Sequence, residues 1–143
     1  MADAFAARVT VRGYELDMNG HVNQAVYMQY GEHARWEFLK AAGISGTALA
    51  ESGMGTVVLE LTIRFHNELR DGDTVDVTCA YTSRSEKTFT VAHTLHRTDG
   101  VLAAEITGTG GLLNLTTRRL LPNPIAHLES LSTNPTLFHP TPA

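Results

Sequence analysis

The sequence predicts an α+β domain in which a five-stranded antiparallel sheet accompanies one long helix. The first observation behind this prediction is a long helical pattern of apolar residues within positions 22–42. The second is an alternation of apolar and polar residues in one run before that helix and in four runs after it. Because no helical pattern separates the last four runs, short turns must connect them, and short turns join antiparallel strands.

The first two elements are a strand over positions 8–14 and the long helix. The strand alternates around Val9 and Val11, and the helix begins at Val22 or Asn23 and ends near position 42. Gly43 is well placed as its C-terminal cap. One apolar face of this helix consists of residues three or four apart: Val26, Tyr27, Tyr30, Ala34, Phe38 and Ala41. Positions 44–55 are rich in Gly, Ser and Ala and predict a loop with a short helical turn at 47–52.

Four strands follow the loop. Positions 56–66 alternate most clearly and place these residues on one face: Val57, Leu59, Leu61, Ile63 and Phe65. The next two strands have apolar faces formed by Val75, Val77, Cys79 and Tyr81, and by Phe89, Val91, His93 and Leu95. Asp99-Gly100 predicts a hairpin before the last strand, at 101–115. Gly108, Gly110 and Gly111 predict a bulge or a close backbone approach there.

The composition indicates a single domain over residues 1–143, with a core at about 8–122 and a proline-containing tail at 123–143. The five prolines, from Pro122 to Pro142, predict a largely irregular tail with a possible short helix at 125–131. A net charge of −4 with scattered signs argues against nucleic-acid binding. No membrane span or secretory signal is visible, so the expected location is the cytoplasm. One cysteine and scattered histidines predict no metal and no cofactor.

The candidate catalytic residues are Asp17, Asn19 and His21, which alternate in a turn just before the long helix. A carboxylate there can attack a carbonyl or activate a water molecule, and the sequence leaves both routes open. The first N–H groups of the helix, at Val22 and Asn23, are predicted to hold the oxyanion. The competing interpretation is a helix cap, since Asp and Asn are also favoured there for capping alone.

Four segments carry a resemblance to a known family. They are Asp17-Met18-Asn19-Gly20-His21-Val22-Asn23, Tyr27 with Glu32, Ala34 and Arg35, Phe65 with Leu69-Arg70-Asp71-Gly72-Asp73, and Arg97-Thr98-Asp99-Gly100-Val101-Leu102-Ala103-Ala104. Over roughly positions 8–122 the chain resembles the hot-dog-fold acyl-CoA thioesterase superfamily. It resembles in particular the 4-hydroxybenzoyl-CoA thioesterase-like group and the plant acyl-acyl-carrier-protein thioesterases. The plant enzymes have an Asp-x-Asn-x-His-Val-Asn loop.

The resemblance implies a sheet wrapped around a central helix, active sites at a dimer interface, and thioester hydrolysis without metal or cofactor. Asp17 falls at the catalytic carboxylate of the family, and Asn19 and His21 match its polar partners. The chain departs from the plant enzymes in having one hot-dog repeat instead of two, so it must associate. The strand after the helix offers Glu60 but no cysteine, which puts the full plant-type network in doubt.

The remaining candidates concern substrate binding. Tyr27 and Tyr30 lie near enough to the loop to line an acyl pocket, although both also fit a core role. Three cationic side chains are predicted to bind the phosphates of coenzyme A: Arg64, Arg84 and Lys87. The competing interpretation is that they are simply solvated on the surface. Glu60 faces solvent, a subunit interface or the active site, and Glu32 and Arg35 are expected to pair along the helix.

The sequence therefore predicts a homodimeric or homotetrameric thioesterase acting on an acyl-CoA or an acyl carrier protein. One helix cannot cover both faces of five strands, which favours association. The acyl group, whether fatty, aromatic or polyketide, stays open. The alternatives are a hot-dog dehydratase, which typically combines a loop histidine with an acidic residue on the helix, and a non-catalytic acyl-binding protein.

Overall fold

The computed structural model describes residues 4–140, which form one antiparallel sheet and three α-helices. The strands are β1 Phe5–Thr10, β2 Met54–Phe65, β3 Thr74–Ser85, β4 Thr88–Arg97 and β5 Leu102–Asn114. The helices are α1 Gln24–Ala41, α2 Gly46–Glu51 and α3 Pro124–Leu131, with 3-10 helices at Gly13–Glu15 and Pro135–Phe138.

The sheet has the order β1-β3-β4-β5-β2, and every neighbouring pair is antiparallel. Helix α1 packs on β1 and β3. The predicted α+β class and five-stranded antiparallel sheet are confirmed. Because β1 and β2 lie at the two edges, each leaves one side of its backbone without a strand partner among residues 4–140.

Helix α1 has capping residues at both ends. The side chain of Asn23 accepts a hydrogen bond from the backbone N–H of Ala25 at 2.9 Å, which caps the N-terminus. Gly43 follows the helix with φ of +77°, and the N–H of Ile44 donates to the carbonyl of Leu39 at 2.8 Å. This is a Schellman motif, which explains why the helix ends where the sequence predicted.

The core lies between α1 and the sheet. Phe38 is 1% exposed and contacts Phe5 and Phe138 edge to face, with ring centroids 5.5 and 5.1 Å apart. The contact with Phe138 places the C-terminal segment in the core. Ile125, Leu128 and Leu137 are also buried. The predicted short helix is confirmed as α3, but the expectation of a largely irregular tail is wrong because its apolar residues pack onto the core.

The predicted first strand needs correction, since it begins at Phe5 and ends at Thr10, and Gly13 and Tyr14 lie in the first 3-10 helix instead. For the glycines of β5 the sequence predicted a bulge or a close backbone approach, and the bulge opposite them lies in β2, between Val58 and Glu60. The predicted close approach is real, because a Cβ at Gly110 would lie 2.6 Å from the carbonyl oxygen of Val57.

The edge strand β2 carries large apolar side chains that are incompletely covered. Val58, Leu59 and Phe65 are 44%, 54% and 53% exposed. On α1, Trp36 is 44% exposed and lines a groove together with Val58. A single copy of residues 4–140 therefore leaves a band of large apolar side chains along this edge open to water.

Candidate active site

The predicted catalytic turn is a closed loop before α1. Leu16 and Val22 pair as an isolated antiparallel bridge, and the N–H of Asp17 donates to the carbonyl of His21 at 2.9 Å. Gly20 has φ of +78°, a conformation that glycine adopts without steric cost. The backbone of residues 17–21 is thus fixed by its own hydrogen bonds.

Asp17 and His21 face each other across this loop. Oδ2 of Asp17 lies 3.5 Å from Nδ1 of His21, which is also 3.3 Å from the carbonyl oxygen of Val22. Oδ1 of Asp17 accepts the backbone N–H of Asn19 at 2.9 Å. The main chain of Asn19, not its side chain, therefore holds the carboxylate in place.

A cavity of about 530 Å³ adjoins the loop. One wall consists of loop and helix-start residues: Asp17, Asn19, His21, Val22, Asn23, Gln24 and Tyr27. The other wall consists of the residues that end β2 and follow it: Phe65, His66, Asn67 and Glu68. The rings of Tyr27 and Phe65 meet edge to face across the two walls, with centroids 5.0 Å apart. A small polar reacting group and an apolar chain can both be accommodated here.

The two N–H groups predicted to hold an oxyanion are already used. The N–H of Val22 donates to the carbonyl of Leu69 at 2.8 Å, and that of Asn23 donates to the carbonyl of Glu15 at 2.9 Å. These bonds fasten the loop to its surroundings. The assignment of the oxyanion to Val22 and Asn23 is therefore corrected.

Gln24 has a backbone N–H that the sequence analysis did not consider. It is the first residue of α1 and lines the cavity, and its N–H makes no hydrogen bond within residues 4–140. The next two N–H groups, of Ala25 and Val26, donate to the side-chain and backbone oxygens of Asn23. The signal was available, because an asparagine cap satisfies the second or third N–H of a helix and leaves the first one free.

Of the two tyrosines predicted to line the acyl pocket, one lies at the cavity and the other does not. Tyr27 lines the cavity, and burial raises the pKa of its hydroxyl. Tyr30 is 2% exposed and donates its hydroxyl to Oε1 of Glu15 at 2.7 Å, away from the cavity. The prediction that Tyr30 lines the pocket beside Asp17 is therefore wrong.

The other predicted substrate-binding residues lie outside the cavity in this chain. Glu60 and Arg64 are exposed on β2, opposite Thr109 and Glu105 of β5. Arg84 and Lys87 are exposed where β3 turns into β4. Contacts of these four residues with a substrate stay predictions.

The expected pairing of Glu32 with Arg35 does not occur among the described residues. Instead Nη1 of Arg35 lies 3.4 Å from Nε2 of the buried His93. The side chain of Arg35 therefore turns towards the sheet instead of along the helix.

Glu15 is a buried carboxylate that the sequence analysis did not single out. It accepts hydrogen bonds from the backbone N–H of Arg12 at 2.8 Å, the Arg12 guanidinium at 3.1 Å and the Tyr30 hydroxyl at 2.7 Å. Burial opposes its ionisation, but these donors outweigh burial and hold the pKa of Glu15 below its usual value. The carboxylate joins the segment before the loop to α1.

Two other kinds of chemistry find no support in residues 4–140. No group of three or more His, Cys, Asp or Glu side chains in that range is arranged to hold a metal ion. Burial raises the pKa of the Cys79 thiol to about 12, which keeps it protonated and unreactive. Separately, no helix of the described chain combines the length and apolarity that a membrane crossing needs.

Comparisons with known proteins agree on one family. The model of the thioesterase-like superfamily matches residues 11–131. The chloroplastic acyl-acyl carrier protein thioesterase ATL3 of Arabidopsis thaliana is 44% identical over 73 residues, which cover 51% of this chain and 38% of the plant protein. The chain thus matches well under half the length of that relative.

Solved structures share the whole architecture. A Staphylococcus aureus protein in complex with CoA superposes with a TM-score of 0.84 at 23% identity, covering 100% of this chain and 89% of that one. An Aquifex aeolicus protein gives a TM-score of 0.79 at 26% identity, covering 89% of this chain and 98% of that one. The predicted hot-dog fold is confirmed by this likeness.

Proposed function

Because this chain belongs to the thioesterase-like superfamily, we propose that it hydrolyses an acyl thioester to a free acid and a thiol. The observation that carries the proposal is a cavity lined both by Asp17 and by Gln24, whose N–H makes no hydrogen bond within residues 4–140. A carbonyl group bound there meets a base or nucleophile and a hydrogen-bond donor. The plant-type reading of the loop stays a prediction.

The chemistry needs little beyond these two groups. Asp17 either attacks the carbonyl carbon directly or takes a proton from a water molecule that attacks it. The carbonyl oxygen gains negative charge and accepts the N–H of Gln24, which lies at the positive end of the α1 dipole. The C–S bond then breaks and its electron pair leaves with the sulfur. An anhydride formed by direct attack is hydrolysed by water in a second step.

His21 and Asn19 support Asp17 in different ways. Nδ1 of His21 lies 3.5 Å from the Asp17 carboxylate, so its role is to position that group. The backbone N–H of Asn19 holds the other carboxylate oxygen. The Asn19 side chain lines the cavity and is free to orient the water or the thioester carbonyl.

The substrate is an acyl-CoA or an acyl carrier protein thioester. One plant relative is named for acyl-acyl carrier protein, and one structural neighbour was solved with CoA. No lysine or arginine lines the cavity, so phosphate groups of either carrier must meet cations outside it. The aromatic pair of Tyr27 and Phe65 suits the acyl group, be it fatty, aromatic or polyketide.

A homodimer, or a tetramer built from such dimers, completes the molecule. The half-exposed side chains of Leu59 and Phe65 lie on the edge strand β2. Pairing of β2 with its copy would satisfy the open edge and cover this apolar face. Since Phe65 also lines the cavity, association would bring the second copy next to the site.

The test is a thiol-release screen across acyl groups of increasing length, each on CoA and on acyl carrier protein. Release by the wild-type protein, abolished in Asp17→Asn, supports the proposal. Binding of acyl thioesters without release would indicate an acyl-binding protein instead. A dehydratase would convert hydroxyacyl thioesters without releasing thiol. No acidic residue of α1 lines the cavity, which disfavours that reaction.

A further inference from the structure

We propose that His66 is the proton donor to the departing sulfur and that Glu105 positions it. The proposal rests on the thioester hydrolysis proposed above and adds to it a group on the wall opposite Asp17. Histidine is suited to this work because it gains and loses a proton near neutral pH.

The His66 side chain is anchored between two strands. Residue 66 directly follows β2, and its backbone N–H donates to the carbonyl of Ala103 at 2.8 Å. Nε2 of its ring lies 2.9 Å from Oε2 of Glu105 on the neighbouring strand β5. An ionised carboxylate only accepts hydrogen bonds, so Nε2 carries a proton. This leaves Nδ1 as the ring nitrogen available to a ligand.

The two histidines that line the cavity, His21 and His66, come from different segments and have different partners. Nδ1 of His21 is directed at its own loop, 3.5 Å from Asp17 and 3.3 Å from the Val22 carbonyl. A thioester whose carbonyl lies between Asp17 and Gln24 can direct its sulfur to the opposite wall. His66 is the histidine on that wall.

The neighbours of His66 are less suited to protonate sulfur. The side-chain amide of Asn67 donates to the carbonyl of Leu102 at 2.8 Å and carries no labile proton near neutral pH. The carboxylate of Glu68 is engaged in an ion pair with Arg70. His66 is therefore the group on this wall that can deliver a proton and recover it.

The charged surroundings of His66 come from three elements. Glu105 of β5 contacts the ring directly, and Arg64 of β2 is the register partner of Glu105. Asp17 and His21 line the same cavity as His66, and Glu68 lies two residues after His66. Of these groups, Glu105 is within hydrogen-bond distance of the His66 ring.

In the water route, the oxygen of water bonds to the carbonyl carbon and Asp17 takes one of its protons. The tetrahedral intermediate collapses, the C–S bond breaks, and its electron pair goes to sulfur. The His66 imidazolium gives its Nδ1 proton to that sulfur and becomes neutral. Asp17 later releases its proton and His66 regains one from solvent, so the net reaction adds water across the C–S bond.

The experiment varies the leaving group with the acyl group held constant. One substrate is the CoA thioester, whose alkyl thiol resembles cysteine with a pKa of about 8.5. The other is the 4-nitrothiophenyl thioester, whose thiol is far more acidic and leaves without a proton. We expect His66→Gln to lower kcat/KM about 100-fold on the CoA thioester and less than about 10-fold on the aryl thioester. Glu105→Gln should also lower kcat/KM more on the CoA thioester than on the aryl thioester, but by smaller factors.

Two further variants complete the test. His33→Gln, an exposed histidine of α1 outside this cavity, should behave as wild type on both substrates. Equal losses on both thioesters, or leaving-group dependence in His21→Gln instead of His66→Gln, would overturn the proposal. If the wild type cleaves neither thioester, the proposed hydrolysis itself has failed, and this step fails with it.

Discussion

Tyr30 donates its hydroxyl to Oε1 of Glu15 at 2.7 Å, and this bond joins the middle of α1 to a residue two positions before Asp17. Glu15 is 6% exposed, and its backbone carbonyl accepts the N–H of Asn23 at the start of the same helix. Two hydrogen bonds therefore connect Glu15 to α1, one at the N-cap residue Asn23 and one at Tyr30. The position of the loop at residues 17–21 relative to the helix start is set by this buried network as well as by the loop itself.

Tyr30→Phe should lower the free energy of unfolding by about 2 kcal/mol, measured by urea denaturation at neutral pH. The reason is that a buried, ionised carboxylate loses one of its donors. Tyr14→Phe is the matched control, because Tyr14 is 80% exposed and should unfold like the wild type. Equal stability of the Tyr30 and Tyr14 variants would show that the Glu15 network contributes little.

Asp17→Asn should fold and associate normally while kcat falls at least about 100-fold, the loss expected for an acid–base or nucleophilic group. Asparagine keeps an oxygen for the N–H of Asn19, so the loop should retain its shape. The measurement is thiol release at saturating substrate, with circular dichroism as the check on folding. Asp71→Asn, an exposed turn residue outside the cavity, is the control. Near-normal turnover by Asp17→Asn would remove the carboxylate from the mechanism.

Gln24→Pro should lower kcat about 100-fold or more without unfolding the protein. Proline is tolerated at the first position of a helix, and Asn23 already has the extended conformation that a residue before proline requires, with ψ of 139°. The substitution removes one N–H. The expected loss in kcat is that seen when an enzyme loses one oxyanion donor. Gln24→Ala keeps the N–H and should retain most activity. If the alanine variant loses as much as the proline variant, the side chain and not the backbone is what matters.

Sequence patterns predicted the elements because helical and strand periodicity is a local property. The stop at Gly43 is local as well and was predicted, whereas Asn23, the residue that caps the helix, had been assigned to the oxyanion instead. The oxyanion assignment failed for a non-local reason. The N–H of Val22 is engaged by Leu69, which is distant in the sequence, and nothing in the loop indicates this partner.

The tail and the cavity also depend on contacts between residues that are distant in the sequence, which local patterns do not predict. Five prolines suggested irregular chain, yet Leu137 and Phe138 complete the core beside Phe38. His66 counted only as one of the scattered histidines that form no metal site, since its closeness to Glu105 arises from the pairing of β2 with β5. Register between strands, which the sequence does not specify residue by residue, decides which polar side chains share a wall.

Leu59→Glu should convert the proposed dimer into monomers, measured by sedimentation velocity. Leu59 is 54% exposed at the bulge of the edge strand β2, and a charge in a buried interface without a partner is strongly unfavourable. Activity should fall together with association because Phe65 of the same strand lines the cavity. Arg84→Glu, at an exposed turn on another part of the surface, is the control and should remain a dimer. A wild-type protein that sediments as an active monomer would contradict the proposed assembly.

His93 should make folding sensitive to mild acid. The ring is 1% exposed, and burial lowers its pKa from the ordinary 6.5 to about 4, although a hydrogen bond from Nδ1 to the Thr78 carbonyl at 2.7 Å partly offsets this effect. Between these two pH values the unfolded chain binds a proton on His93 that the folded chain excludes. Stability must therefore fall as pH decreases across this window, by about 3 kcal/mol in total, and the contribution levels off below it.

The measurement is urea denaturation at closely spaced pH values across that window. His93→Asn keeps a donor for the Thr78 carbonyl and removes the titrating group, so its stability should vary less steeply with pH than that of the wild type. His96→Asn, on the same strand but half-exposed, should retain the wild-type slope. The depressed carboxyl pKa of Glu15 also destabilises the fold in acid, but it does so below the ordinary glutamate value of 4.5. An unchanged slope in His93→Asn would mean that another group accounts for the loss of stability in mild acid.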